Sequence, residues 1–478
     1  MSGVNRCQRA AARLLELAPA NVQPYQEVLL PLLERLLQQQ HDGAEPLHIS
    51  AEELITLGAG GRDALSELPL ELVIQAEGGA QLWSKRRRQQ EQRLMQELVQ
   101  RLSQQHGLLL TGGAGTGKTT LIKELLQDER GRLIWLLAPT GKAAARLRES
   151  LAPLPESMRC ATVHRALEAD GAGGYRRGHQ RPLEAEVVVV DEVSMLDSGL
   201  MQALLNALPP TTRLILVGDP AQLPPIGGSG VLNTLEQNLQ QQQPQHHRRL
   251  ERSHRFNDAT ALGRFVQRLR QGVGGAELQQ LLQEQSGGNL SWWPLQHRWP
   301  RALVQRIDHH RLQLQQSCLD PSCDDTSALA CLDELMVLSP RRRGRHGVEQ
   351  LNSRWLGLDP SQPQRWPAGT PLLVGRNDAG LGLANGDRGV VRPGPRGAEA
   401  VIATADGPQR FPLALVPAPE PALAMTVHKS QGSQASEVIA LMPQGETMDR
   451  RMLYTALTRA RTRVDLISLA LDHVALIA

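Results

Sequence analysis

The chain has 478 residues and a mass of 52.4 kDa, enough for about three domains, and its 41% hydrophobic and 21% charged residues exclude wholesale disorder. Apolar runs such as Leu133–Ala138 and Val187–Val190 are too short to cross a bilayer. The charges near the N-terminus break up any leader-like core, and the five cysteines do not suggest a disulfide framework, so a cytoplasmic setting with no membrane partner is expected. Lys plus Arg number 52 against 49 Asp plus Glu, a balance that neither demands nor forbids nucleic acid; with 3% aromatic residues, any bound strand would be gripped by its phosphates more than by stacking.

Residues 1–84 are rich in Leu, Ala and Gln. Val28–Leu37 has leucines at helical spacing, and Ser50-Ala51-Glu52-Glu53 reads as a capping box opening another helix. A helical domain that packs on a partner is expected here. Lys85–Arg88 opens a charged helix running to about Gln105. Then Leu108–Leu110, Leu133–Leu137, Val187–Val190 and Leu214–Val217 form short apolar runs with helical stretches between some of them. That alternation predicts a parallel sheet covered by helices, in a domain over 85–250 with a small insert at about 168–185.

Gly112-Gly113-Ala114-Gly115-Thr116-Gly117-Lys118-Thr119 matches G-x-x-x-x-G-K-[ST] between an apolar strand and the helical run that begins at Thr120. Glycines let the backbone curl so that several amides face one anion, and the helix N-terminus adds its dipole. Lys118 would reach the β- and γ-phosphates of ATP, and Thr119 would offer a hydroxyl to Mg²⁺. Val187–Val190 ends in Asp191-Glu192; the first acid suits the Mg²⁺ sphere and the second a water-polarising base. Leu214–Val217 ends in Gly218-Asp219-Pro220-Ala221-Gln222, where Gln222 fits a contact to the γ-phosphate or the lytic water, and spacing alone does not reject a plain Pro-rich turn.

Gln240–Gln243, followed by Pro244, reads as a surface loop, and residues 272–300 as irregular. A third domain over 251–478 begins here. Asp333–Pro340 reads as a buried strand, and Pro371–Val374 and Gly389–Val391 suggest a β-barrel-like insert over about 345–420. Cys318, Cys323 and Cys331 lack zinc-finger spacing.

Further runs follow in order: Ala138-Pro139-Thr140-Gly141-Lys142 through Arg146-Leu147, Ala161-Thr162-Val163-His164, Ser253-His254-Arg255-Phe256, Asn385-Gly386-Asp387, Thr426-Val427-His428-Lys429-Ser430-Gln431-Gly432-Ser433, and Tyr454-Thr455-Ala456-Leu457-Thr458-Arg459-Ala460-Arg461. Together with the phosphate loop they resemble the superfamily 1 helicases, and the RecD-like family most closely, over roughly residues 108–465. Ala114 departs from the proline usual in RecD-like phosphate loops, a residue the amide cradle does not need. The resemblance implies an α/β fold with two RecA-like P-loop motor domains, an N-terminal helical domain and a small β-barrel-like insert in the second motor. It implies ATP and Mg²⁺ as cofactors, with Gly112–Thr120 holding the nucleotide, Gln222 sensing the γ-phosphate, and Arg255 and Arg459 approaching from the second motor. It places Pro139, Thr140, Lys142, Arg146, Thr162, His164, Thr426, His428 and Ser430 along DNA, single-stranded or at duplex ends, with 5′→3′ travel.

The short region before the phosphate loop favours a subunit of a helicase–nuclease heterotrimer with beta- and gamma-type partners, acting in double-strand break repair. A stand-alone helicase is the alternative. A non-motor assembly protein with a vestigial loop is a third, opposed by the intact Lys118, Thr119, Asp191, Glu192 and Arg459. Residues 170–185 fit a wedge-bearing subdomain or a solvated loop. Arg341-Arg342-Arg343 and Arg345 fit a strand exit or a solvated face.

Overall fold

A computed structural model describes all residues except 1, 42–45, 75–78, 172, 226–229, 257–258, 285–287, 297, 379, 396, 405, 444–446, 472–474 and 478. They pack as two compact units, one of Met1–Gln104, Leu196–Gln202 and Pro224–Gln243, the other of Gln105–Met195, Ala203–Leu223 and Pro244–Ala478.

The first unit has helices Ser2–Glu16, Gln26–His41 and Ala51–Ser66. At Ser50 the capping box forms: Ser50 Oγ accepts from Glu53 N at 3.1 Å, and Glu53 Oε2 accepts from Ser50 N at 2.8 Å. Helices are not the whole of it. Strands β1 (Leu47–Ile49), β2 (Leu70–Ile74) and β3 (Ala80–Ser84) form an antiparallel sheet in the order β1-β3-β2. Leu47, Ile49, Leu70 and Leu82 share one core with Leu29, Leu33 and Leu65 of the helices. Helix Lys85–Gln104 buries Leu94, Leu98 and Leu102 and packs on helix Val231–Gln242. The glutamine tract expected as a loop is therefore the last turn of that second helix. Leu232, Leu235 and Leu239 lie on its buried face and carry the helical period into the glutamines, and the helix stops before Pro244.

The second unit has two parallel sheets. The first comprises β4 (Leu108–Gly112), β5 (Ile134–Ala138), β6 (Met158–Thr162), β7 (Val187–Val190), β8 (Arg213–Gly218) and β9 (His247–Leu250), in the order β6-β5-β7-β8-β4-β9. Each ladder in it is parallel. Val187–Val190 is buried at every position, as a strand covered on both faces must be.

The second parallel sheet begins with β10 (Leu290–Pro294), preceded by helix Gly275–Glu284, so residues 272–300 are more regular than expected. Leu278 and Leu282, one helical turn apart, are buried and anchor this helix, with Leu281 packed against the same core. After β11 (Leu335–Ser339) and helix Val348–Leu356 comes an antiparallel insert of β12 (Pro371–Leu373), β13 (Arg388–Gly394), β14 (Gly397–Thr404), β15 (Gly407–Pro412) and β16 (Glu420–Pro421). Its order is β15-β14-β13-β12-β16, an open five-stranded sheet among the described residues. The antiparallel strands start at 371 because Leu351 and Trp355 of the preceding helix join the core beneath the second parallel sheet. That sheet is completed by β17 (Ala424–Thr426), β18 (Ala435–Met442) and, after β19 (Thr447–Asp449), by β20 (Ala460–Ser468), in the order β10-β20-β18-β11-β17. β21 (Ala475–Ile477) pairs with β19. No described helix is long and apolar enough to cross a membrane.

Candidate functional site

The chemistry-bearing residues leave the C-terminal ends of parallel strands, where an open α/β sheet offers its crevice. β4 ends at Gly112, and helix Lys118–Leu125 opens behind Gly117 without a side-chain cap. Gly115 (φ +72°) and Gly117 (φ +87°) take the left-handed backbone that lets the loop curl. Lys118 Nζ folds over the loop and donates to the carbonyls of Gly112 (2.8 Å) and Gly113 (2.9 Å). Thr116 Oγ1 donates to Gly113 O. Thr119, in the first helical turn, is half-buried and Thr120 is exposed.

β7 delivers Asp191 and Glu192 to the same end. Glu192 has φ +53°, unusual for a residue with a side chain, and its amide donates to Asp191 Oδ1 at 2.8 Å. Burial, and then the neighbouring Glu192 charge, raise the Asp191 carboxyl above the usual range, against the pull of Lys118. A cation placed there would relieve that load. β8 delivers Asp219, fully buried, whose carboxylate accepts from Ala221 N (3.1 Å), Gln222 Nε2 (3.3 Å) and the Tyr454 hydroxyl (2.9 Å). Gln222 Oε1 is buried with no partner among the described residues.

The second half of the chain closes on this edge. His254 N donates to Gly115 O at 2.8 Å, and Ser253 Oγ to Ala114 O at 2.8 Å. A Cβ on Gly115 would lie 2.5 Å from Arg255 Cβ, so the loop needs glycine there. Arg255 Nη1 is buried and unpartnered. Burial lowers the Arg255 pKa, helped by Arg459 and Arg461. Arg459 is buried, with Nε donating to Thr455 O (3.0 Å) and Nη1 to Ser433 O (3.3 Å). Burial lowers its pKa too, while Glu192 and Asp219 favour its charge, which puts the guanidinium in the field of the first sheet's acids. Two orphaned polar atoms, Gln222 Oε1 and Arg255 Nη1, beside an amide-rich loop and a cation-seeking acid, fit a magnesium–nucleotide ligand.

The expected DNA residues divide. Thr140, after the half-buried Pro139, caps helix Gly141–Leu151 by accepting from Ala143 N, and Thr162 caps Val163–Ala166. His164 faces the Tyr175 ring at 6.2 Å. Arg146 Nη1 donates to Gly432 O at 2.9 Å, its Nη2 is unpartnered, and burial pushes its pKa down to about 10. A Cβ on Gly432 would lie 2.8 Å from Thr140 Oγ1, so these two segments abut. Thr426 Oγ1 accepts from Lys429 N, and burial holds His428 below the usual imidazole range.

Two candidates are committed elsewhere. Ser430 is fully buried and donates to Val427 O. Lys142 Nζ donates to both Asp333 oxygens at 2.7 Å, and Arg388 Nη1 reaches the same carboxylate at 2.8 Å. Burial, then Arg388, push the Lys142 pKa down to about 7. Sequence spacing gives no hint that Asp333 and Arg388 act across the fold, and the run Asn385-Gly386-Asp387 does not show that Asp387 lies against Gly141. Tyr454 lies inside a run already singled out, yet its partners could not be read there. Arg177 and Arg181 both pair with Glu168, and Arg342 and Arg343 with Glu349, which accounts for four of the cations in the two basic stretches.

Asp387 is buried against Gly141, and burial pushes its pKa up to about 6. Its acid form is favoured in the folded chain, so ionisation opposes folding above that value and not below the unfolded value. Asp387→Asn should therefore be more stable than the parent near pH 7, with the gap shrinking toward pH 4. Urea unfolding across that range measures it; a gap independent of pH would contradict the placement.

Family models match over two segments: an AAA domain at residues 95–228 and a UvrD-like helicase C-terminal domain at residues 421–467. A RecBCD enzyme subunit RecD from Mycolicibacterium smegmatis is 39% identical over 386 residues, covering 74% of this chain and 67% of that one. An ATP-dependent RecD2 DNA helicase from Deinococcus radiodurans is 30% identical over 383 residues, covering 74% of this chain and 46% of its own. Against three further RecD relatives the chain spans 65% of their length, slightly under two thirds. Among solved structures, one described as the basis of DNA unwinding at forked duplexes by two coordinating Pif1 helicases aligns with 80% of this chain and 93% of its own, at 18% identity and a TM-score of 0.45.

Proposed function

The chain belongs to the RecD family of ATP-dependent DNA helicases, and on that premise we propose that its two parallel-sheet lobes are RecA-like motors that hydrolyse ATP to draw single-stranded DNA through in the 5′→3′ direction. One observation carries the reading: Arg255 from the second half lies against the phosphate loop, Arg459 lies in the field of Glu192 and Asp219, and Arg255 Nη1 and Gln222 Oε1 are buried and unbonded. Bound Mg·ATP would supply a γ-phosphoryl group that passes to water, with ADP as the leaving group and charge spread over the three γ-oxygens. Lys118 and the amides of Gly115–Lys118 hold the phosphates. Thr119 and Asp191 hold the cation. Glu192 accepts a proton from the attacking water, Gln222 orients it, and Arg255 and Arg459 neutralise developing charge. Because those arginines belong to the second lobe, they also favour a closed cleft while the γ-phosphate is present.

Thr140, Thr162, Arg146, Thr426 and His428 offer hydroxyls, helix N-termini and few full charges, which suits sugar–phosphate contacts that ignore sequence. Lys142 and Ser430 act behind that surface, holding its segments in place. The N-terminal region, with exposed Leu17 and Ile55, docks on a gamma-type subunit, and a beta-type subunit carries the nuclease, in a cytoplasmic complex that processes duplex ends in recombination and repair. The insert over 371–421 serves as the barrel-like module of the second motor.

The test is ATP turnover by the purified chain with and without single-stranded DNA. Turnover is expected to rise with DNA and the stimulation to fade as salt rises, because phosphate contacts release counterions. Turnover indifferent to DNA at low salt would overturn the reading.

A further inference from the structure

Tyr454 makes a junction that the nucleotide chemistry above does not use. It sits on helix Arg450–Leu457 of the second lobe and is 2% exposed. Its hydroxyl oxygen accepts the Ala114 N–H of the phosphate loop at 3.2 Å, and its proton goes to Asp219 Oδ2 at 2.9 Å. Burial, and next the Asp219 charge, hold the phenol well above its ordinary pKa, so the proton needed for the second bond stays on. The neighbouring residues extend the contact. Thr455 Oγ1 accepts from Leu223 N at 2.9 Å, and Gln431 Nε2 donates to Leu223 O at 2.7 Å. The segment Asp219–Leu223, which carries Gln222, is thus held from the second lobe at both ends.

Two features of the loop admit this contact. Residue 113 is glycine: a Cβ there would lie 3.0 Å from the Tyr454 oxygen and 2.6 Å from Arg270 Nη1. Residue 114 has an amide proton to give. A proline at this place would have none.

We propose that Tyr454 is a positioning residue that latches the phosphate loop to the Asp219–Leu223 segment across the cleft, and that Ala114 supplies the loop-side arm of the latch. The proposal rests on reading the loop as the ATP site. A bond made when the lobes meet, and lost when they part, favours the closed cleft. A nucleotide gripped from both lobes then binds more tightly. The loop-side arm is one hydrogen bond, so its loss should weaken binding by about threefold to tenfold.

The experiment titrates a fluorescent, non-hydrolysable ATP analogue with Mg²⁺ into the full chain and its variants. Ala114→Pro removes the donor, Ala114→Gly keeps it, and Tyr454→Phe removes the acceptor. Ala114→Pro should bind about threefold to tenfold more weakly, Ala114→Gly more tightly than the proline variant, and Tyr454→Phe at least as weakly as the proline variant. In the Tyr454→Phe background, Ala114→Pro should add nothing, which a general loosening of the fold would not produce. Parent-like binding by Ala114→Pro, loss in the glycine variant equal to that in the proline variant, or the same proline loss in both backgrounds would overturn the latch. Should Tyr454→Phe not fold, the proline–glycine pair alone decides. None of these results touches the ATP reading, which fails instead if Lys118→Gln binds the analogue as tightly as the parent.

Discussion

Replacing Lys118 by Gln should lower DNA-stimulated ATP turnover by about 10²–10³-fold, the usual effect of removing one preorganised charge from a developing anion. The ammonium sits at the loop, bonded to the Gly112 and Gly113 carbonyls at 2.8 and 2.9 Å. Gln keeps a polar head on a stem of similar length, but brings no charge to the phosphates. The side chain is outside the apolar cluster of Leu110, Ile122 and Val189 beneath the loop, so folding should be little affected. A steady-state assay with saturating DNA, beside a thermal melt, separates lost chemistry from lost fold. Turnover at the parent rate would remove Lys118 from the site.

The largest loss of stability is expected from Asp333→Asn. Asp333 is the anion between Lys142 and Arg388, whose side chain is only 2% exposed. Burial pushes the Asp333 carboxyl up, yet Lys142 and Arg388 overcome that and hold it below its usual range. Amidation leaves two desolvated cations facing each other. Lys142 can shed its proton; Arg388 cannot, since guanidinium does not titrate in this range. Stranding a buried charge costs about 3–5 kcal/mol, and relief at Lys142 places this site toward the lower end. Equilibrium denaturation should show an earlier midpoint, and Asp333→Leu combined with Lys142→Met and Arg388→Met should recover much of it. An Asn variant as stable as the parent would mean the triad is solvated and idle.

Four stretches show why some elements were legible and others were not. Val187–Val190 announced a doubly covered strand because four consecutive β-branched residues have few other places to go. The capping box at Ser50 was equally local. The strands β1 to β3 were missed because each is three to five residues long and its alternation is lost among leucines that also fit a helix. The glutamine tract was misread for the opposite reason: composition was weighed where the leucines upstream already set the period.

The same division runs through the site. Backbone curvature, amide count and residue chemistry are properties of a few neighbours in the chain, so the phosphate loop and the strand-end acids were determined by sequence alone. Pairings made over hundreds of residues were decided by the tertiary structure. Lys142 looked like a cation for a strand, and Asp333 takes it because burial makes an unpaired ammonium too costly to keep. Ala114 looked like an idle departure from proline, and only folding brings a tyrosine hydroxyl within 3.2 Å of its amide. Which polar group meets which depends on the packing of whole sheets, and no local pattern encodes it.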